Sequence, residues 1–95
     1  MNEDNNAIFH ALADSTRRLM LDELSERKEM TLYELSARLI MKHHLSISRQ
    51  AIAKHLSVLE EAGLVQSEKK GKYRVLVFHN EPLKHLLKRW IEEGQ

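Results

Sequence analysis

The stretch from Ser48 to Val65, Ser-Arg-Gln-Ala-Ile-Ala-Lys-His-Leu-Ser-Val-Leu-Glu-Glu-Ala-Gly-Leu-Val, constrains this chain more than any other part of it. It opens like a helix, because Ser48 is placed to accept hydrogen bonds from the first free backbone N–H groups. It closes like one, because Gly63 can take the left-handed conformation that ends a helix. Between those ends Ile52, Leu56 and Leu59 recur at i, i+4 and i+7 and give one apolar face. At about 100° per residue, Gln50, Lys54, Ser57 and Glu61 fall on the opposite face, flanked by Arg49 and Ala53. The outward turns therefore carry a guanidinium, a carboxamide, an ammonium and a small hydroxyl. Such groups read base edges and phosphates in a DNA major groove. An ordinary amphipathic surface helix has the same pattern, so the neighbouring sequence must separate the two readings.

Upstream, Asn5–Leu12 suggests a short helix with Ile8, Phe9 and Leu12 on one side. Asp14 is the expected cap of a second helix running to about Arg27, with Leu19, Met20, Leu21 and Leu24 as core contacts. Arg17 and Arg18 lie in its first turn, where the macrodipole disfavours positive charge, so each needs a partner: a carboxylate within the protein or a DNA phosphate. Thr31 and Glu34 fit a capping box, and a third helix follows to roughly Met41, burying Leu32, Leu35 and Leu39. Lys42–Ile47 then forms a turn before Ser48. A helix, a turn and a second helix with an exposed polar N-terminus is the helix-turn-helix arrangement.

After Gly63 the period changes to two. Leu64–Lys69 and Lys72–His79 flank a Lys-Lys-Gly-Lys turn, with Tyr73, Val75 and Val77 alternating against Arg74, Leu76 and Phe78, which reads as a β-hairpin. Its tip concentrates Lys69, Lys70, Lys72 and Arg74. Charges there are often only solubilising or edge-protecting, but directly after a candidate recognition helix they favour a wing on the DNA backbone or minor groove. Asn80, Glu81 and Pro82 start a last helix, with Pro82 in its first turn, where a missing N–H costs nothing. Leu83, Leu86, Leu87 and Trp90 form its stripe. This stripe and the Ile8/Phe9 face are read as a shared dimer surface, with packing inside one chain as the alternative.

Ninety-five residues, 42% apolar and 31% charged, suit one ordered domain spanning 1–95 with a modest core. The absence of cysteine excludes disulfides, thiolate metal sites and cysteine nucleophiles. No apolar run approaches the roughly 18 residues of a membrane span, and a cytoplasmic location is expected. The net charge of +1 divides unevenly. Residues 1–45 carry six Lys/Arg against eight Asp/Glu, residues 46–80 six against three, and residues 81–95 three against three. The positive excess is confined to the Ser48–Gly63 helix and the hairpin, where a polyanion would meet it. The expected fold class is mainly α with a β-hairpin wing, in the order α-α-α-α-β-β-α.

Three separated motifs, in order, resemble those of the ArsR/SmtB transcriptional repressors. Phe9-His-Ala-Leu-Ala-Asp-Ser-Thr-Arg-Arg18 is similar to the family's opening motif, which usually has proline where this chain has Ser15. Ser48-Arg-Gln-Ala-Ile-Ala-Lys-His-Leu56, followed by Val58-Leu-Glu-Glu-Ala-Gly-Leu-Val65, resembles its recognition helix, and Gly71–Leu76 sits where its wing lies. The resemblance implies a homodimeric bacterial repressor whose first and last helices form the interface. It implies that Arg49, Gln50, Ala53 and Lys54 face the major groove, with His55 near the DNA backbone. Metal-sensing members carry Cys-x-Cys on the third helix, where this chain has Leu32-Tyr-Glu-Leu-Ser36. Ile40–Ile47 is also several residues longer than the family's usual connection, so the resemblance does not fix the angle of the recognition helix.

Six histidines raise the question of a metal. His43 and His44 are adjacent, and His79 and His85 are six apart; neither is the i, i+4 pair that sets two imidazoles on one helical face. Some family members bind zinc through His and carboxylates on the last helix, a pattern that His85 with Glu92 or Glu93 matches poorly. No metal or other cofactor is therefore expected. Nor is an enzyme: there is no glycine-rich phosphate loop and no strained nucleophile turn. The leading expectation is a metal-independent dimeric repressor using Ser48, Arg49, Gln50, Ala53, Lys54, His55 and Ser57 together with the wing. A repressor answering to a metal or small ligand, and a winged-helix module that binds protein, are the alternatives. The inducing signal is not written in these residues.

Overall fold

The structure, a computed structural model, describes residues 3–88, 90 and 91. Among these residues five α-helices and three short strands follow one another: α1 (Glu3–Leu12), α2 (Ser15–Ser25), β1 (Met30–Thr31), α3 (Leu32–Ala37), α4 (Arg49–Glu61), β2 (Val65–Lys70), β3 (Tyr73–Phe78) and α5 (Glu81–Lys88). The helix starts follow from their caps. Asp14 Oδ2 accepts the Arg17 N–H at 3.1 Å to open α2. Thr31 and Glu34 satisfy each other's backbone N–H groups at 3.0 Å to open α3. Ser48 Oγ accepts the Ala51 N–H at 3.1 Å to open α4.

Helix α4 ends as its sequence requires. Gly63 has φ +76°, and this lets the Gly63 N–H reach the Glu60 carbonyl and the Leu64 N–H reach the Leu59 carbonyl, both at 3.0 Å. The two bonds satisfy carbonyls that the helix leaves free and turn the chain straight into β2. The hairpin pairs Val65 with Phe78 at its base and Lys70 with Tyr73 at its tip, leaving Gly71 and Lys72 as a two-residue turn. Gly71 has φ +63° and Lys72 does not have positive φ, the pattern of a type II′ turn.

One strand was not expected. The two-residue β1 pairs Met30 with Leu76 and Thr31 with Val75, so the antiparallel sheet has the order β1-β3-β2 and β3 lies at its centre. This corrects the simple alternation of the hairpin. Val75 and Leu76 are both buried while Tyr73 and Arg74 are both exposed: β1 pairs only with Val75 and Leu76, and β3 also packs against α2 and α3.

The core gathers Met20 and Leu24 of α2, Met30, Leu35 of α3, Leu39, Ile52, Leu56 and Leu59 of α4, and Leu64 and Leu76, all essentially inaccessible. Each such side chain contributes on the order of 1.5–3 kcal/mol by leaving water. The apolar face assigned to Ile52, Leu56 and Leu59 is thus the face that anchors α4. Helix α1 packs on α2, α4 and α5. Ile8 (4% exposed) and Leu86 (9%) therefore belong to the chain's own core, a correction to their expected place on a surface shared by two copies. Leu83 is partly buried against that core. Phe9, Leu87, Trp90 and Ile91 remain exposed, and the Phe9 and Trp90 rings lie 6.4 Å apart. Among the described residues no helix is long and apolar enough to cross a membrane. Helices α3 and α4, the hairpin and the flanking helices form a winged helix-turn-helix.

Candidate nucleic-acid interface

With its apolar side sunk in the core, α4 turns Arg49, Gln50, Ala53, Lys54 and Ser57 outward, and all five are exposed. Neither Arg49 nor Lys54 has an ion pair among the described residues. Ser48 spends one oxygen lone pair on the cap but keeps its hydroxyl proton free to donate. These residues leave the two N-terminal turns of α4 cationic and rich in donors.

His55 behaves differently. It sits on the flank of α4, half-buried, with Nδ1 3.0 Å from Arg17 Nη1 and 3.8 Å from Asp14 Oδ2. Burial alone would raise the Asp14 carboxyl, but the Arg17 N–H it accepts and the charge of the Arg17 guanidinium outweigh that and hold it below the ordinary value. Neither the Arg17 nor the Arg18 guanidinium has a carboxylate partner among the described residues. Arg17 donates to the Ala11 carbonyl at 2.9 Å and to the His10 carbonyl at 3.0 Å, and Arg18 donates to the Leu12 carbonyl at 2.6 Å. Both guanidinium groups therefore cap the C-terminal, electronegative end of α1.

The four basic residues of the wing, all exposed, divide by partner. Arg74 Nη2 lies 3.1 Å from Glu60 Oε2, and the Ser67 hydroxyl donates to the same carboxylate. Arg74 thus ties the wing to the last turn of α4. Lys70 stands 3.8 Å from Glu29, both well exposed, a pairing of little energetic weight. Lys69 and Lys72 have no ion pair among the described residues. Between the wing, α3 and the start of α4 opens a cleft of about 330 Å³ lined by Tyr33, Ser36, Arg49, Lys72 and Tyr73, among others. The two tyrosines are largely exposed. Sequence reasoning passed over both, since a lone tyrosine beside a helix cap or at a hairpin tip carries no pattern of its own.

The long connection ahead of α4 is held by a device also missed in the sequence. Helix α3 continues into a π-helical turn, Arg38–Lys42, closed by the His43 N–H on the Arg38 carbonyl at 3.1 Å. His44 then takes φ +58°, and the Leu45 N–H returns to the Leu39 carbonyl at 3.0 Å. Glu23 of α2, its side chain 2% exposed, faces this turn. Its carboxylate accepts from Arg38 Nη1 at 2.9 Å, Lys42 Nζ at 2.8 Å and His43 Nε2 at 2.7 Å. The bonds from Lys42 and His43 outweigh burial and, with Arg38, lower the Glu23 carboxyl from 4.5 to about 2. The extra residues are thereby wound into one wide turn, and Leu45 and Ile47 pack against the core. His43 is committed to Glu23, while His79 Nε2 meets Gln66 Oε1 at 2.8 Å. Glu92 and Glu93 lie outside the described residues.

The chain is similar to known transcriptional regulators. Residues 12–68 match a family model described as a helix-turn-helix domain. Over 92 residues, 97% of this chain and 100% of the relative, the sequence is 75% identical to the HTH-type transcriptional regulator YuzN of Bacillus subtilis. Over 68 residues, 72% of this chain and 68% of the relative, it is 32% identical to the transcriptional repressor SdpR of the same organism. Among solved structures, an ArsR family transcriptional regulator superposes with a TM-score of 0.79 at 32% identity, covering 98% of this chain and 88% of that one.

Proposed function

Because the chain belongs to the ArsR family of helix-turn-helix transcriptional regulators and is itself a DNA-binding regulator, we propose that it acts as a metal-independent homodimeric repressor on a pseudo-palindromic operator. Each subunit inserts the N-terminal turns of α4 into a major groove, with Arg49, Gln50, Ala53, Lys54 and Ser57 against base edges and Ser48 and His55 at flanking phosphates. The wing lies beside it, with Lys69 and Lys72 on the backbone and Lys70 next to them, while Arg74 holds the wing in place. A two-fold dimer sets half-sites about one helical turn apart.

The observation that carries this reading is the division of α4 into a buried Ile52/Leu56/Leu59 side and an exposed side whose cations, Arg49 and Lys54, are uncompensated among the described residues. Together with the basic wing beside it, that exposed face offers a polyanion a continuous cationic surface. The dimer is supported by the exposed Phe9–Trp90 ring pair, which joins the first helix to the segment that follows α5, and by the exposed Leu87 and Ile91, which line one cleft. Metal independence is supported by the absence of cysteine, which leaves no thiolate ligands.

Selection of bound sequences from random duplex DNA by the purified protein, with and without zinc, nickel or copper, tests the reading in one experiment. A symmetric consensus recovered equally in all conditions is expected. An asymmetric consensus overturns the palindromic dimer. A tenfold change in affinity on adding metal, about 1.4 kcal/mol of coupling, overturns metal independence.

A further inference from the structure

Arg17 and His55 are far apart in sequence but meet where α1, α2 and α4 converge, and their contact decides the chemistry of His55. The buried Arg17 uses three edges of its guanidinium: Nε on the Ala11 carbonyl at 2.9 Å, Nη2 on the His10 carbonyl at 3.0 Å, and Nη1 on His55 Nδ1 at 3.0 Å. A guanidinium has only donors. Nδ1 therefore faces it with a lone pair, and the proton of the neutral ring resides on Nε2. Among the described residues no buried side-chain nitrogen or oxygen lacks a hydrogen-bond partner. Among those residues Nε2 has none, so it is a donor that reaches solvent.

We propose that Arg17 is a positioning residue for DNA binding, holding His55 as the Nε2–H tautomer and aiming that neutral donor at a phosphate beside the major groove. The proposal rests on the reading of α4 as the recognition helix with His55 at the DNA backbone. His55 lies about 100° around the helix from Lys54, on the flank between the groove face and the core, where phosphates run and base edges do not. Arg17 has little freedom to release it. Its other donors are fixed on the last carbonyls of α1, and its backbone N–H is held by Asp14 at 3.1 Å. The consequence is specific. A neutral donor adds affinity without displacing a counterion, so it leaves the salt dependence of binding unchanged.

Histidine-selective nitrogen NMR of the free protein at about pH 8, where an ordinary imidazole is neutral, reads the tautomer without any DNA or variant. An unprotonated Nδ1 and a protonated Nε2 on His55 are expected; the reverse tautomer overturns the proposal. Arg17→Lys keeps the charge but loses the fork, and is expected to admit the second tautomer and weaken operator binding several-fold. A Lys variant with the native tautomer and native affinity also overturns it. In operator titrations over a range of salt, His55→Ala is expected to lose on the order of tenfold in affinity with an unchanged salt slope. His55→Gln, whose amide reaches the Nε2 position, is expected to recover most of it. A slope reduced by about one phosphate means a charged imidazole and overturns the neutral-donor assignment. An unaltered affinity for His55→Ala alongside the expected tautomer instead overturns the underlying backbone contact, so the two failures are told apart.

Discussion

Glu23 Oε2 and His43 Nε2 stand 2.7 Å apart, joining the last turn of α2 to the first residue after the π-helical turn. With Arg38 and Lys42 on the same carboxylate, this contact makes a buried anion the fixed point from which the connection to α4 is wound. Its pH dependence has a definite sign. The Glu23 carboxyl is lowered from 4.5 to about 2 in the fold, so the stability it supplies is fully present above 4.5 and is lost as pH falls through about 2. Such a shift corresponds to about 3 kcal/mol. Replacing Glu23 with Gln is expected to lower stability near neutral pH by about 2–3 kcal/mol, since Arg38, Lys42 and His43 are partly exposed and water relieves part of the loss. Urea denaturation between about pH 2 and 7 checks both points: the wild type should gain stability steeply across the acid range, and the variant should follow a flatter curve.

Gln50 carries the most direct test of groove reading. Its carboxamide is exposed on the first turn of α4, and a bidentate contact to one base accounts for about 1–3 kcal/mol of discrimination. Gln50→Ala is expected to relax sequence preference at one or two positions of each half-site while leaving the melting temperature unchanged. Comparing consensus sequences selected by the two proteins measures it. An unaltered consensus places the groove-facing side of α4 elsewhere.

Lys72 distinguishes positioning from reading. It sits in the two-residue wing turn without an ion pair among the described residues, whereas Lys70 has Glu29 nearby. Lys72→Ala should weaken all DNA sequences alike and reduce the salt slope by about one, and Lys70→Ala should do so less. Titrations on operator and random DNA at several salt concentrations separate this outcome from a loss of specificity.

What could be foreseen from the residues was mostly what is local in the chain. The caps at Asp14, Thr31/Glu34 and Ser48 and the Gly63 exit each bind groups within a few residues, so their spacing announces them. The two-residue β1 is too short to alternate, and without it the centre of the sheet could not be placed. The Glu23 cluster joins residues fifteen to twenty positions apart, and nothing in the Ile40–Ile47 stretch shows that its extra length closes into a π turn over that carboxylate. Arg17 was recognised as a charge needing a partner. That the partners are α1 carbonyls and His55 emerges only once three helices meet. The candidate face on α4 was legible because one helix carries both the apolar stripe and its polar opposite.

Two adjacent leucines of α5 separate folding from assembly. Leu86 is 9% exposed and packs in the core, whereas Leu87 is 40% exposed in a single chain, near Trp90 at 52% in sequence. Placing a carboxylate at Leu87 costs the isolated subunit little, because that side chain already meets water. Buried between two copies, the same carboxylate would lack a partner and would be severely unfavourable. Leu87→Asp is therefore expected to remain folded by circular dichroism, to sediment as a monomer at concentrations where the wild type is a dimer, and to bind operator far more weakly. Its melting temperature should not rise with protein concentration, while that of the wild type should. Leu86→Ala is expected to behave in the opposite way, losing about 2–5 kcal/mol of stability through the cavity it leaves. A Leu87→Asp protein that still sediments as a dimer places the interface on another face.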